Sequence, residues 1–184
     1  MLQFLTVQTL GIYIQVPFCQ TKCTYCNFHT GVVSAERFAP YIDAVCREIA
    51  GHCELLASAG VGTPKSALAD TIYFGGGTPS LLEPRLLIRV LEAVRATFAC
   101  SGDEVTLEAD PETIEPRKAH AWVAAAINRI SFGSQSFIDD ELKAAGRMHR
   151  RMDIYRAVGI LRDAGIRNIS FDLIAGLPKQ THSS

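Results

Sequence analysis

Three cysteines stand within eight residues near the start of the chain, in the segment CQTKCTYC at residues 19–26. Cysteine thiolates are the usual protein ligands of iron–sulfur clusters. A loop this tight can wrap three corners of a cubic [4Fe–4S] cluster but supplies no fourth cysteine, so one iron stays open to a small chelating ligand. We therefore predict that Cys19, Cys23 and Cys26 hold such a cluster.

A zinc site is the alternative interpretation of this loop. His29 follows Cys26 at a ligand-like interval, and three cysteines with one histidine are a known zinc ligand set. Nothing else in the chain resembles a small zinc module, and we favour the cluster. Single buried cysteines are common, and we expect Cys46, Cys53 and Cys100, which fall on or at the end of predicted helices, to be core or incidental thiols.

Further polar groups follow the ends of other predicted strands. Gly75–Gly77 could let backbone approach a ligand without Cβ interference, although on the residues alone a tight turn is the simpler interpretation. Glu108 ends the third strand, where a carboxylate can accept hydrogen bonds from ribose hydroxyls or an ammonium group; a solvated glutamate is the alternative. Gln135 follows the fourth strand, and Asp172 closes the polar end of the fifth. Arg147 lies between them and could pair with a carboxylate in a bidentate fork.

Strand and helix patterns alternate along the whole chain. The predicted strands are Gly11–Val16, Thr71–Phe74, Glu104–Glu108, Arg129–Phe132 and Asn168–Ile174. The predicted helices cover residues 35–59 after an N-cap at Ser34, residues 84–98, residues 116–126, and two pieces split near Gly146, while 60–66 form a connector. This alternation predicts right-handed βαβ units and a parallel sheet.

The predicted fold is α/β: a partial (β/α) TIM-type barrel of about five βα units, in one domain over residues 1–184. Because the chain stops just after the fifth strand, we expect a barrel truncated at its C-terminal side, with an open sheet edge. The cysteine loop, the glycine run, Glu108, Gln135 and Asp172 each follow a different strand. Active sites of parallel β/α barrels form at that rim, so we expect these groups to meet there.

Composition excludes several other classes of protein. Eighteen basic residues against nineteen acidic ones give a net charge of −1, without the basic surface of a nucleic-acid binder. No apolar run approaches membrane-spanning length, and Met1–Leu10 lacks the basic region and cleavage site of a signal peptide. We expect a cytoplasmic protein, in which six cysteines indicate metal binding or catalysis rather than disulfides.

With the segment YIQVPFC at residues 13–19, the cysteine loop resembles the radical S-adenosylmethionine (SAM) superfamily and, within it, the oxygen-independent coproporphyrinogen III oxidase family. Further resembling segments follow in order: FGGGTPS at 74–80, NRISFG at 128–133, GRMH at 146–149 and DLIAGLP at 172–178. The resemblance implies a radical SAM barrel with a [4Fe–4S] cluster on the three cysteines. It also implies SAM on the open iron, cleaved by one electron to a radical that abstracts hydrogen from a substrate.

The resemblance implies a set of SAM-contacting residues as well: Tyr13, Tyr25, Gly76, Gly77, Thr78, Glu108, Gln135, Arg147 and Asp172. In the oxidase members some of these positions contact a second SAM molecule. We therefore do not assign all nine residues to a single SAM molecule. His149 is left without a role and is expected to face solvent.

The family has two branches, and Phe28 distinguishes them. The oxidases, which decarboxylate porphyrinogen propionates, resemble C-x3-C-x2-C-x-C, with an extra cysteine where this chain has Phe28. The haem chaperone branch, thought to bind haem and pass it to acceptor proteins, shows Phe there and usually Asp where this chain has Asn27. We favour the chaperone branch; the alternatives are the oxidase and a zinc-stabilised module or inactive fragment. The implied partners are haem or a porphyrinogen, a haem-accepting protein and a flavodoxin- or ferredoxin-type electron donor.

Overall fold

A computed structural model describes residues 9–61 and 68–182. Within these ranges five parallel strands form one sheet in chain order: β1 (Thr9–Val16), β2 (Leu68–Gly76), β3 (Ala99–Ala109), β4 (Arg129–Gln135) and β5 (Asn168–Leu173). The helices are α1 (Phe38–Ala50), α2 (His52–Ser58), α3 (Pro84–Thr97), α4 (Pro116–Ala124), α5 (Asp139–Ala144) and α6 (Arg151–Ala164). The predicted fold class, a partial barrel of about five βα units, is confirmed.

The first predicted helix is divided. A 3₁₀ turn at Ala35–Arg37 precedes α1, and Gly51 separates α1 from α2. Glycine is a weak helix former, and its amide closes the end of α1 by donating to the Arg47 carbonyl at 3.0 Å. Ser34 does precede the 3₁₀ turn, but its side chain makes no capping hydrogen bond. Residues 1–8 of the opening stretch and 62–66 of the predicted connector lie outside the described residues.

The two faces of the sheet differ in polarity. Alternate strand residues, including Ile14, Ile72, Leu107 and Ile130, are buried with helix residues such as Leu91 in one apolar core. Their neighbours on the other face are polar and bond to one another: Tyr73 donates to Glu108, Arg129 donates to Thr106, and Ser131 donates to Asp172. A closed TIM barrel fills this inner side with branched apolar residues. The polar inner face therefore belongs to a binding site rather than to a packed core.

No helix among the described residues is both long enough and apolar enough to cross a membrane.

Candidate metal and cofactor site

The structure brings all twelve sequence-predicted site residues to one cavity of about 620 Å³ at the carboxyl ends of the strands. They are Tyr13, Cys19, Cys23, Tyr25, Cys26, Gly76, Gly77, Thr78, Glu108, Gln135, Arg147 and Asp172. The ligand that each would contact remains a prediction. A larger cavity of about 1010 Å³ lies between β1 and the helices α1 and α2, and Tyr13 is the one member of the twelve that also lines it.

Backbone hydrogen bonds hold the cysteine loop in place. The Cys19 amide donates to the Gly31 carbonyl at 3.1 Å, which closes the loop on itself, and the Thr24 amide donates to the Ala145 carbonyl at 3.3 Å. All three cysteines are partly buried free thiols. Burial raises the pKa of the Cys19 thiol, against the effect of hydrogen bonds with Thr30 and Thr78.

The loop gives no support to the zinc alternative. Among the described residues, no group of three or more His, Cys, Asp and Glu side chains is arranged to hold a single metal ion. Zinc requires its ligands within about 2.0–2.3 Å of one point, whereas cluster cysteines bond to separate iron atoms. Three thiols arranged around a cavity fit a cluster better than they fit one ion shared with His29.

The glycine run packs directly against the cysteine loop. A Cβ on Gly77 would lie 2.4 Å from the Phe18 carbonyl oxygen and 3.0 Å from Cys19 Sγ, so a larger residue does not fit. Gly76 has φ of +116°, in the region that favours glycine, and its amide donates to Glu108 Oε2 at 2.9 Å. The run is therefore more than a tight turn: it joins the end of β2 to the cysteine loop and to β3.

Carboxylates line the cavity on the side of β3 and β5. Glu108 accepts hydrogen bonds from the Tyr73 hydroxyl and the Gly76 amide, both at 2.9 Å. Burial raises the pKa of Glu108, and the negative charges of Asp172 and Asp110 raise it further. Tyr13 stacks on Tyr73 with ring centroids 5.6 Å apart. An excess of acidic groups in one cavity favours a cationic ligand, such as an ammonium or sulfonium group.

Arg147 connects the carboxylates with the cysteine loop. It forms an ion pair with Asp110, and its other hydrogen bonds go to the Gly133 carbonyl at 2.8 Å and to Cys23 Sγ at 3.2 Å. Its Nε is buried and has no partner among the described residues, which leaves a donor for a ligand. Arg147 was predicted to pair with a carboxylate in a bidentate fork. In this structure the carboxylate is that of Asp110, and only Nη2 and Oδ1 meet, so the fork is not formed.

Two further predicted residues have unusual surroundings. Gln135 has φ of +65°, a conformation that costs a residue other than glycine about 1–3 kcal/mol. The Ile174 amide donates to the Gln135 carbonyl at 3.0 Å and so holds the end of β4 against the chain after β5. On the opposite side, burial raises the pKa of Tyr25, although the charge of Arg147 opposes the increase.

The prediction that His149 faces solvent is wrong. Its side chain is fully buried, with Nδ1 3.1 Å from Glu112 Oε2 and Nε2 3.2 Å from the Ser134 carbonyl oxygen. His149 lies in the loop after α5. Its contact with Glu112 satisfies two polar groups that are shielded from water. Sequence reasoning also missed Asp110 and Glu112, which line the cavity. Their alternate positions after Glu108, at 110 and 112, were a usable signal.

Comparisons with known proteins agree with this geometry. The haem chaperone HemW of Synechocystis sp. is 39% identical over 183 residues, covering 94% of this chain and 42% of that protein. The oxygen-independent coproporphyrinogen III oxidase of Bradyrhizobium diazoefficiens is 35% identical over 176 residues, covering 95% of this chain and 38% of that protein. The solved structure of the Escherichia coli coproporphyrinogen III oxidase HemN superposes with a TM-score of 0.82 at 28% identity, covering 95% of this chain and 39% of that one.

The chain thus spans about two fifths of the length of the relatives it matches. Members of the radical SAM superfamily use a [4Fe–4S] cluster and SAM, the cofactors that the cavity's thiols and carboxylates suit. The superfamily match itself extends over residues 13–184. From this match, which covers the second half of β1, the other four strands and the cavity at their ends, the chain belongs to the radical SAM superfamily.

Proposed function

We propose that this chain is the radical SAM domain of a haem chaperone-like protein. In this proposal Cys19, Cys23 and Cys26 hold a [4Fe–4S] cluster, SAM binds its open iron, and the complete protein binds haem and delivers it to an acceptor protein. One observation carries the first part: three thiols, a glycine run and several acidic groups, from the ends of four strands, line one cavity. The haem chaperone relatives support the second part.

The cavity residues divide the work of binding. When bound, the cluster would supply one electron for cleavage of the SAM sulfonium. The backbone at Gly76 and Gly77 and the side chain of Thr78 would meet the amino-acid part of SAM. Glu108 and Asp172 would accept hydrogen bonds from its hydroxyls or ammonium group. The unpartnered Nε of Arg147 would donate to an anionic oxygen.

Phe28 favours the chaperone over the oxidase. It lines the cavity with 73% of its surface exposed, at the position where the oxidase pattern has an additional cysteine. An aromatic ring there cannot provide a further thiolate, but it offers an apolar surface to a flat macrocycle. The oxidase remains the alternative function because an oxidase relative is 35% identical to this chain.

Partners and location are also parts of the proposal. We place the protein in the cytoplasm, where a reducing environment keeps thiols available, and all six cysteines are free. A flavodoxin- or ferredoxin-type donor would provide the electron, and a haem-accepting protein would receive the haem.

Anaerobic reconstitution with iron and sulfide tests the cofactor assignment. We expect a brown protein with about four iron and four sulfide per chain. Cys23→Ala should abolish uptake, whereas Cys53→Ala, which removes an exposed thiol of α2, should not change it. A colourless protein with one zinc per chain, or full iron content in the Cys23→Ala variant, would contradict the assignment.

The two haem-related functions are separated by experiments on the full-length protein. Haem titration should give a stable complex and transfer to an apo-acceptor if the protein is a chaperone. An anaerobic assay with coproporphyrinogen III, SAM and a reductant should then give no decarboxylated product. Decarboxylation without haem binding would support the oxidase.

A further inference from the structure

An Asp–Arg ion pair and a Glu–His pair join the loop after β3 to the loop between α5 and α6. Asp110 pairs with Arg147, and two residues further along each loop Glu112 pairs with His149 at 3.1 Å. The side chains of Arg147 and His149 are only 8% and 0% exposed. We call these two pairs the clamp. Nothing in the proposed function uses Asp110, Glu112 or His149.

Asp110 occupies the centre of the clamp because its two carboxylate oxygens have different partners. Oδ1 pairs with Arg147, and Oδ2 accepts a hydrogen bond from the Thr78 hydroxyl at 3.0 Å. The backbone of Asp110 is fixed as well: its carbonyl accepts from the Thr113 amide at 2.9 Å, and its amide donates to Ser80 Oγ at 3.3 Å. The carboxylate is therefore held in one position by its own loop.

Through Arg147 and Thr78, Asp110 is connected to two points of the cysteine loop, near Cys19 and at Cys23. Arg147 donates to Cys23 Sγ at 3.2 Å, and the neighbouring Thr24 amide donates to the Ala145 carbonyl at 3.3 Å. The Thr78 amide donates to the carbonyl of Phe18, the residue before Cys19, at 2.6 Å. The buried Asp110 carboxylate thus links Thr78, which holds the backbone before Cys19, to Arg147, which contacts Cys23.

We propose that Asp110 is a positioning residue for the cluster, holding the Arg147 guanidinium against Cys23 and Thr78 against the backbone that leads into Cys19. The Glu112–His149 pair fixes the loop that presents Arg147. Hydrogen bonds to cluster sulfurs are one means by which a protein sets a cluster's reduction potential. Without Asp110, Arg147 would be a buried cation lacking its counter-ion, and such a charge moves toward water. This inference rests on the proposed function for the identity of the cluster.

The first test uses the metal-free protein and hydrogen–deuterium exchange. Asp110→Asn, which keeps the shape and removes the charge, should speed exchange about fivefold or more in peptides covering residues 20–27 and 145–150, the cost of about one hydrogen bond. Arg147→Gln should affect the same peptides, and α3 should not change. Asp163→Asn is the matched control, because Asp163 is exposed on α6. Faster exchange confined to residues 108–114, or spread over the whole chain, would overturn the proposal.

The second test measures the midpoint potential of the reconstituted protein. Arg147→Gln should lower the potential, because a positively charged donor beside a cluster thiolate is lost. If Asp110 acts by holding Arg147, then Asp110→Asn should lower the potential too. If Asp110 were only a nearby negative charge, its removal would raise the potential, and a rise or no change would overturn the proposal. A wild-type protein that takes up no iron would instead refute the proposed function, while the exchange measurement would still test the clamp.

Discussion

Replacing Gly77 by alanine should loosen the cysteine loop. The new Cβ would lie 2.4 Å from the Phe18 carbonyl oxygen, 2.8 Å from its carbonyl carbon and 3.0 Å from Cys19 Sγ. Two of these neighbours are backbone atoms, which cannot rotate away as the end of a long side chain can. Relief therefore requires movement of the chain between Phe18 and Cys19.

The size of the effect follows from these distances. Ordinary van der Waals contact begins near 3.4 Å, so the Phe18 carbonyl must retreat by about 1 Å. The same oxygen accepts the Thr78 amide at 2.6 Å, and a retreat of that size takes this bond beyond hydrogen-bonding distance. Overpacking costs about 1–3 kcal/mol and a lost hydrogen bond about 1 kcal/mol. We expect the free energy of unfolding to fall by about 2–4 kcal/mol.

Urea unfolding of the metal-free protein measures this change, and iron content after reconstitution measures its effect on the site. Gly31→Ala is the control, because Gly31 lies in the same loop and a Cβ there would meet no atom within 4 Å. We expect Gly31→Ala to retain both stability and iron. A Gly77→Ala protein whose stability and iron content match those of the control would refute the reasoning.

Four further predictions use the same unfolding assay. The pKa of Glu108 is higher in the folded state, so the free energy of unfolding should fall as pH rises from about 4.3. Glu108→Gln should remove this pH dependence. A variant that keeps it would show that Glu108 is not its source. For Glu112, burial raises the pKa, but the hydrogen bonds from His149 and the backbone, with the charges of His149 and Arg147, together outweigh it and lower the pKa. Stability is therefore lost as pH falls through the folded-state pKa, and Glu112→Gln should remove this loss. His149→Leu leaves the Glu112 carboxylate without its partner and should cost about 2–3 kcal/mol; a neutral result would exclude a stabilising pair. Thr78→Val removes one donor to Asp110 and should cost about 1 kcal/mol, with no loss expected for the exposed control Thr21→Val.

The position of the site could be predicted from the sequence, because each candidate residue follows the end of a strand and parallel strands end at one edge. The start of β3 could not. Ala99–Asp103 shows no apolar alternation, and this segment joins the sheet by pairing Ala99 with Leu68 and Cys100 with Ala69. Strand pairing of this kind depends on the neighbouring strand and not on local pattern.

The clamp was beyond prediction for a similar reason. Each of its pairs joins residues 37 positions apart, in two loops whose approach depends on how α5 and α6 pack against the sheet. In the sequence, a histidine followed by two arginines is typical of a segment exposed to solvent. Its burial depends on a carboxylate that becomes a neighbour only in the folded chain.

The left-handed backbone at Gln135 lowers the stability of the fold while it places a side-chain amide at the cavity. A glycine at this position would relax the chain, yet it would remove one of the two side-chain amides, those of Gln15 and Gln135, that line the cavity and can both donate and accept. Selection for a more heat-resistant variant should therefore favour replacements at Gln135 that weaken cofactor binding. A library screened for folding alone would accumulate replacements of Gln135.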